Sequence, residues 1–287
     1  MSDVDRLAPF RSTPAADLPE IDAALARHGL RARRIGELSP PDPVKRGRSA
    51  AWIELDDGRT IKARVLESAG AARLLHERRR ALNAAFPPAL GHAGRVLLEE
   101  WIAGAPLAEP EAWIEPAARL LAQLHASPLP GPAATVATGR WRDEATRNLA
   151  RLAEAGVLAA GPHERLAARL ADADPGRVSL VLAHRDFCPE NMVVDAAGDL
   201  RVIDNEWLEP QPAGIDLART RSRWPMPAGS WRRFLDAYRG CAPADPGPLG
   251  FWEIVVLAGT ARVRLRRSAA HAATALAGLC ALGADGR

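Results

Sequence analysis

His184-Arg185-Asp186-Phe187-Cys188-Pro189-Glu190-Asn191, then Met192-Val193-Val194-Asp195, a turn at Ala196-Ala197-Gly198-Asp199 and the returning Leu200-Arg201-Val202-Ile203-Asp204, is the stretch that decides how this chain reads. Two short apolar runs around a Gly-containing turn predict a hairpin. The hairpin gathers Asp186, then Asn191 five residues on, then Asp204 after the returning strand. An Asp can take a hydroxyl proton, while an amide and a second Asp offer the few hard oxygen ligands that Mg²⁺ prefers when phosphates and water complete its shell. Those are the groups that phosphoryl transfer requires.

Composition supplies the second clue. Among 38 basic residues only Lys45 and Lys62 are lysine, so arginine has replaced lysine wherever any cation would serve. Lys62 sits mid-strand in Thr60-Ile61-Lys62-Ala63-Arg64-Val65, with Ile61 and Ala63 facing the other way. A compact, rotatable ammonium on a strand suits a grip on nucleotide phosphates, and a planar guanidinium replaces it poorly. The competing reading is a solvated lysine on an edge strand.

A chain of 287 residues has room for two modest lobes or one large domain. The net charge of +3 is weak. The densest basic runs, Arg78 to Arg80 and Arg262 to Arg267, fall in helical patterns without interleaved aromatics, so no nucleic-acid partner is expected. Cys188, Cys241 and Cys280 are odd in number and far apart, which excludes a disulfide framework or a zinc site. No apolar run reaches spanning length and the N-terminus does not read as a signal peptide. The expected setting is the reducing cytoplasm, with no membrane partner and a monomer or homodimer.

Residues 1–18 read as a loose tail, followed by a helix over 19–28. Strands are expected at 32–38, 50–55 and 59–66, the last two joined by the Asp56-Asp57-Gly58 hairpin signal. A helix over 69–86 and a strand over 95–100 follow. Beyond Trp101 the periodicity turns helical, over 111–127, 142–155, 163–173, 231–239 and 251–282, interrupted by a strand at 178–183 and the hairpin. Strands early and helices late predict an α+β fold. The expected division is a nucleotide-binding lobe over 1–102 and a helical lobe over 103–287 that carries the hairpin 184–204 and the acceptor pocket.

With Lys62, His184, Asp186, Asn191 and Asp204 in this order, the chain resembles the aminoglycoside phosphotransferase and choline-kinase-like family, which has the bilobal protein-kinase-like fold. Leu97 to Leu107 is similar to that family's inter-lobe hinge, and Leu120-Leu121-Ala122-Gln123-Leu124-His125 to its Leu-His phrase. Ile203-Asp204-Asn205-Glu206-Trp207 and Ile215-Asp216-Leu217-Ala218 are similar to its metal-binding and structural Asp segments. The resemblance implies a small-molecule kinase that moves the γ-phosphate of ATP, or of GTP, to a hydroxyl. It implies Asp186 as base, Asn191 and Asp204 as Mg²⁺ ligands, Lys62 on the α- and β-phosphates, and Glu77 holding Lys62. Backbone groups of Glu99, Glu100 and Trp101 would read adenine, while His184 and Asp216 would shape the loop.

The chain departs from the family pattern at the nucleotide loop, where Pro40 to Ser49 holds a single glycine, Gly47, with Ser49 as a possible donor. Cys188 stands where protein kinases carry a lysine, and only eleven residues separate Asp204 from Asp216, too few for a phosphorylated activation loop. Glu206, Glu209 and Glu253 beside Trp207, Trp224, Trp231, Phe234 and Trp252 suggest an amine-bearing acceptor held by ion pairs and cation–π contacts; such helix-borne aromatics also read as core. Two other readings stay open: a nucleotide-binding pseudokinase scaffold, and a protein kinase.

Overall fold

The structure, a computed structural model, describes residues 18–42, 48–80, 82–83, 85–129 and 135–284. Gly47 and the tail before Leu18 lie outside the described residues. The chain divides into two compact units, one of residues 1–109 with 189–206, the other of 110–188 with 207–287. The boundary thus falls a few residues later than 102/103, and the second half of the hairpin joins the N-terminal unit rather than the C-terminal one. Strand pairing gives the reason, because β6 (Ala105–Pro106) adds antiparallel to β9 (Met192–Val194), which pairs with β10 (Leu200–Val202).

The N-terminal unit is built on a five-stranded antiparallel sheet. Its strands are β1 (Ala32–Asp42), β2 (Arg48–Leu55), β3 (Thr60–Val65), β4 (Ala89–Ala93) and β5 (Val96–Glu100), in the order β1-β2-β3-β5-β4. Alternation sorts the two faces. Ile53, Leu55, Ile61, Ala63, Val65, Val96 and Leu98 form a core that α1 (Leu18–Arg27) seals with Ile21, Ala24 and Leu25. The β2–β3 turn closes at Gly58, whose φ of 83° is the left-handed conformation a tight turn needs.

Ser68 caps α2 (Ala69–Arg79) by accepting from the Ala71 N–H at 3.1 Å. The helix stops at Arg79 instead of running to Phe86. Asn83 diverts the backbone, its side chain accepting from the Ala85 N–H at 3.0 Å. Strand β4 was not foreseen: it is short, with two glycine- and histidine-bearing positions in place of β-branched residues.

The C-terminal unit is mainly helical: α3 (Ile114–His125), α4 (Gly139–Glu154), α5 (Ala160–Asp172), α6 (Ala213–Arg223), α7 (Ala228–Arg239), α8 (Leu249–Leu265) and α9 (Ala269–Ala284), with a small sheet of β7 (Thr135–Ala137), β8 (Arg177–Ala183) and β11 (Glu209–Pro212). The expected single helix over 251–282 is two, because Ser68's counterpart here, Ser268, accepts from the His271 N–H at 3.2 Å and starts α9. Trp231, Phe234 and Trp252 are core residues, as are Phe251 and Leu279. Gly214 on α6 is required by close approach: a Cβ there would lie 1.9 Å from Trp252. Among the described residues no helix is long and apolar enough to cross a membrane.

Candidate active site

In the N-terminal unit, Lys62 and Arg64 project from the β3 face opposite the core, two residues apart. Lys62 lies across from Glu99 of β5 in the antiparallel register. Its Nζ is 3.3 Å from Asp204 Oδ1 and 4.0 Å from Glu99 Oε1. Arg64, fully buried, is a three-way tie: Nε donates to Glu99 Oε1 at 3.0 Å, Nη1 to Glu206 Oε2 at 3.1 Å, and Nη2 to Asp204 Oδ1 at 2.7 Å. Arg79 from α2 donates to the other Glu99 oxygen and to the Pro87 carbonyl. Two arginines and a lysine therefore meet three carboxylates, so the buried charges are mutually compensated.

Electrostatics follow from that packing. Burial and the neighbouring Arg64 push the Lys62 ammonium down to about 7, against the pull of Asp204. Burial would raise the Asp204 carboxyl, but Arg64 and Lys62 outweigh it and hold the group well below the usual carboxylate range. Asp204 is thus ionised, and its Oδ2 has no partner among the described residues. Asp204 also holds a φ of 61°, a left-handed value uncommon for a non-glycine residue. The β9–β10 ladder pairs Met192 with Val202, and the Asn191 carbonyl accepts from the Ile203 N–H at 2.8 Å. Asn191 and Asp204 therefore stand at one end of a single ladder. Beside them a cavity of about 280 Å³ has Leu38, Ala50, Ile102 and Ile203 on its apolar side and Lys62, Arg64 and Asp204 on its polar side.

Two expectations for this unit are corrected, those for Glu77 and Glu206. Glu77 is exposed and is not among the partners of Lys62; Glu99 and Asp204 occupy that place, and α2 contributes Arg79 instead. Helical spacing turns Glu77 outward, two residues from the buried Arg79. Glu99, Glu100 and Trp101 all line the 280 Å³ cavity, although the backbone N–H groups of Glu100 and Trp101 donate to Pro88 O at 3.0 Å and Thr60 O at 3.3 Å. Glu206 belongs to this unit and is bound to Arg64, lining the 280 Å³ cavity rather than an acceptor pocket among the helices. Ser49 is half-buried in β2, opposite Val65.

In the C-terminal unit, β8 delivers the loop 184–188 and α6 clamps it. Asp216, fully buried, accepts from the backbone N–H of His184 at 2.6 Å and of Arg185 at 2.5 Å, and from His125 Nε2 at 3.1 Å. The other nitrogen of His125 meets the Tyr238 hydroxyl at 2.7 Å. Burial would push the Asp216 carboxyl up, yet His125 and the N–H donors hold it down. The same burial and the adjacent Asp216 raise the Tyr238 hydroxyl. Arg185 has a φ of 69°, and the two charge-assisted bonds to Asp216 offset the strain. His184 is completely buried, its Nδ1 accepting from the Asp186 N–H at 3.2 Å.

Asp186 forms an ion pair with Arg223 at 3.1 Å and lines a cavity of about 590 Å³ enclosed by α4, α6 and α8. Trp207 lines it too. Glu209 and Glu253 do not: Glu209 pairs with Arg185 at 2.5 Å and Glu253 with Arg221 at 2.6 Å. The expected acidic, amine-binding wall is therefore not built from Glu206, Glu209 and Glu253. Each of them is the local counterion of an arginine.

Arg64, Arg79, Arg219 and Arg223 are site residues that the sequence reading did not single out. Arg64 could have been found from its two-residue offset from Lys62 on one strand face. Arg219 and Arg223 recur at helical spacing after Asp216, a signal that is visible only once α6 is recognised.

A model of the phosphotransferase enzyme family matches residues 63–252, more than half of the chain, and the chain belongs to that family. It is an ATP-dependent phosphotransferase of the kind that acts on hydroxyl groups. Among solved structures, the macrolide 2'-phosphotransferase MphH of Brachybacterium faecium is 21% identical, covering 92% of this chain and 97% of that one, with a TM-score of 0.62. A thermostable aminoglycoside phosphotransferase APH(4)-Ia, in a ternary complex with ADP and hygromycin B, is 15% identical over 91% and 97%, with a TM-score of 0.60. Choline kinase LicA of Streptococcus pneumoniae is 14% identical over 98% and 100%, at 0.59. These likenesses establish the α+β, protein-kinase-like fold. A search of curated proteins returns no match.

Proposed function

We propose that this chain is a small-molecule kinase in which Asp186 accepts the acceptor's hydroxyl proton and the β3 face with the β9–β10 ladder receives ATP and Mg²⁺. One observation carries the reading: Lys62 and the ionised Asp204 are 3.3 Å apart on the wall of one cavity, with Asp204 Oδ2 open. Asn191 and Asp204 supply two oxygen ligands. Among the described residues no group of three or more His, Cys, Asp or Glu is arranged to hold a metal alone, which suits an ion completed by phosphates and water. When bound, Mg²⁺ would neutralise charge on the transferred phosphoryl group.

The remaining work falls to the chain's own groups. Lys62 in its charged form binds phosphate oxygens, and Arg64 keeps Asp204 ionised and oriented. The apolar lining of Leu38, Ala50, Ile102 and Ile203 suits a purine. Asp186 orients the hydroxyl and takes its proton, while Arg223 holds the carboxylate in place. Nucleotide-dependent phosphorylation by the wild type, reduced about 10²–10⁴-fold in Asp186→Asn, is the expected outcome. Full turnover in that variant removes Asp186 as base.

A second reading, nucleotide binding without turnover, is favoured by one feature: the Arg64 guanidinium already neutralises Asp204 at 2.7 Å. Slow Mg²⁺-dependent ATP hydrolysis in the absence of acceptor separates the two, since a scaffold binds ATP and leaves it intact.

A further inference from the structure

The 590 Å³ cavity has a charge distribution that the acidic-wall expectation did not anticipate. Arg185, Arg219, Arg223, Arg262 and Arg264 line it, against the carboxylates of Asp186 and Glu144. Two of the five arginines have local counterions: Arg185 pairs with Glu209, and Arg223 with Asp186. Arg262 donates to the neutral Asn148 Oδ1 at 3.2 Å. Among the described residues the side chains of Arg219 and Arg264 make no ion pair and no hydrogen bond.

Arg219 is the most demanding of these. It is half-buried on α6, one turn from Asp216, and its charge is disfavoured first by burial and then by the neighbouring Arg185, which outweigh the pull of Asp216 and Asp186. A partly desolvated guanidinium beside a second guanidinium is costly unless an anion joins them. Two further polar atoms point the same way. Arg185 Nε and Gln211 Oε1 are buried without a hydrogen-bond partner among the described residues, and both residues line this cavity. Trp141, Trp207, Ile215 and Val256 supply apolar wall between the polar groups. Several guanidinium groups, apolar side chains and a carboxylate lining one cavity describe a site for a small hydroxylated anion.

We propose that the acceptor carries a negatively charged oxyanion, a carboxylate or a phosphate ester, held by the guanidinium groups of Arg219 and Arg264 while its hydroxyl faces Asp186. The proposal rests on the kinase reading and sharpens it: the phosphorylated compound is a hydroxy acid or a sugar-phosphate-like alcohol, not an amine.

The test is calorimetric titration of the full chain saturated with Mg²⁺ and a non-hydrolysable ATP analogue, so that the nucleotide's own phosphates cannot claim the arginines. The titrants share one three-carbon scaffold: glycerol, its carboxylate glycerate, its ester glycerol 3-phosphate, and its amine 2-amino-1,3-propanediol. At least one of the two anions is expected to bind about tenfold or more tighter than glycerol and the amine. Which anion binds better distinguishes carboxylate from phosphate. Arg219→Gln and, independently, Arg264→Gln are each expected to weaken that anion about tenfold, with Arg219→Lys losing less. Binding of the amine at least as tight as the anions, no saturable anion binding, or anion affinity unchanged from the wild type in either glutamine variant overturns the proposal. Failure of the kinase reading shows separately, as no Mg²⁺-dependent turnover of ATP itself by the wild-type chain, with or without the anion.

Discussion

The two cavities treat cations in opposite ways. Around β3, Lys62, Arg64 and Arg79 are enclosed by Glu99, Asp204 and Glu206, so that charge is balanced before any ligand arrives. Around α6 and α8 the arginines outnumber the carboxylates, and Arg219 and Arg264 make no direct ion pair among the described residues. A balanced set holds a side chain at one position, as Asp204 must be held to meet a metal. An unbalanced set has a deficit that a ligand can fill. The same residue type is thus structural in one unit and available for recognition in the other.

Activity should respond most. Asp186→Asn and Asp204→Asn are each expected to lower kcat about 10²–10⁴-fold under saturating nucleotide, read by phosphate transfer or acceptor-free ATP hydrolysis. Next comes stability, where the contrast between the cavities is sharpest. Arg64→Met leaves Asp204, Glu99 and Glu206 short of a buried partner, and about 3–5 kcal/mol should be lost in urea unfolding. Arg264→Gln should stay within about 0.5 kcal/mol of the parent, since it breaks no ion pair. Equal losses at the two positions would erase the distinction between balanced and unbalanced sets.

A pH series gives a smaller effect. The folded Lys62 value of about 7 lies below the unfolded 10.5, so the unfolded chain binds the extra proton between them. Unfolding free energy should therefore gain a contribution as pH rises from about 7 towards 10.5, one that is missing in Lys62→Met. Over the same rise the nucleotide dissociation constant should increase as the ammonium is lost. The Asp204 shift acts in the same sense in a more acidic window: its contribution is present above the unfolded 3.8 and is lost as pH falls below it. The smallest effect is expected for Glu77→Ala, within about 0.5 kcal/mol and with unchanged nucleotide affinity, against a large loss for Glu99→Gln.

Much of the fold could be read from periodicity. Alternation marked β2, β3 and β5, and helical spacing marked α3, α4, α5 and α7 to within a few residues. The misses share a cause: local signals were overridden by long-range partners. β4 forms by pairing with β5, and β9 joins the N-terminal unit because β6 pairs with it. At the candidate site, residue type and spacing pointed to the meeting of Lys62 with Asp204, which lie 3.3 Å apart. The identity of the other Lys62 partner was not legible, since Glu99 arrives from a strand 37 positions away by register rather than by any motif. Nor was the cavity's sign, which depends on which carboxylates are already paired, a matter decided by distances such as the 2.5 Å between Arg185 and Glu209.

The clamp of Asp216 on the N–H groups of His184 and Arg185 has a temporal consequence. During synthesis the residues bearing Asp186 leave the ribosome roughly thirty positions before the acid that fixes their backbone, and Tyr238, which steadies His125, follows later still. A polypeptide halted before α6 would present every group of the hairpin and yet leave Arg185 free to relax from its left-handed shape. Competence in this enzyme is therefore acquired late in translation.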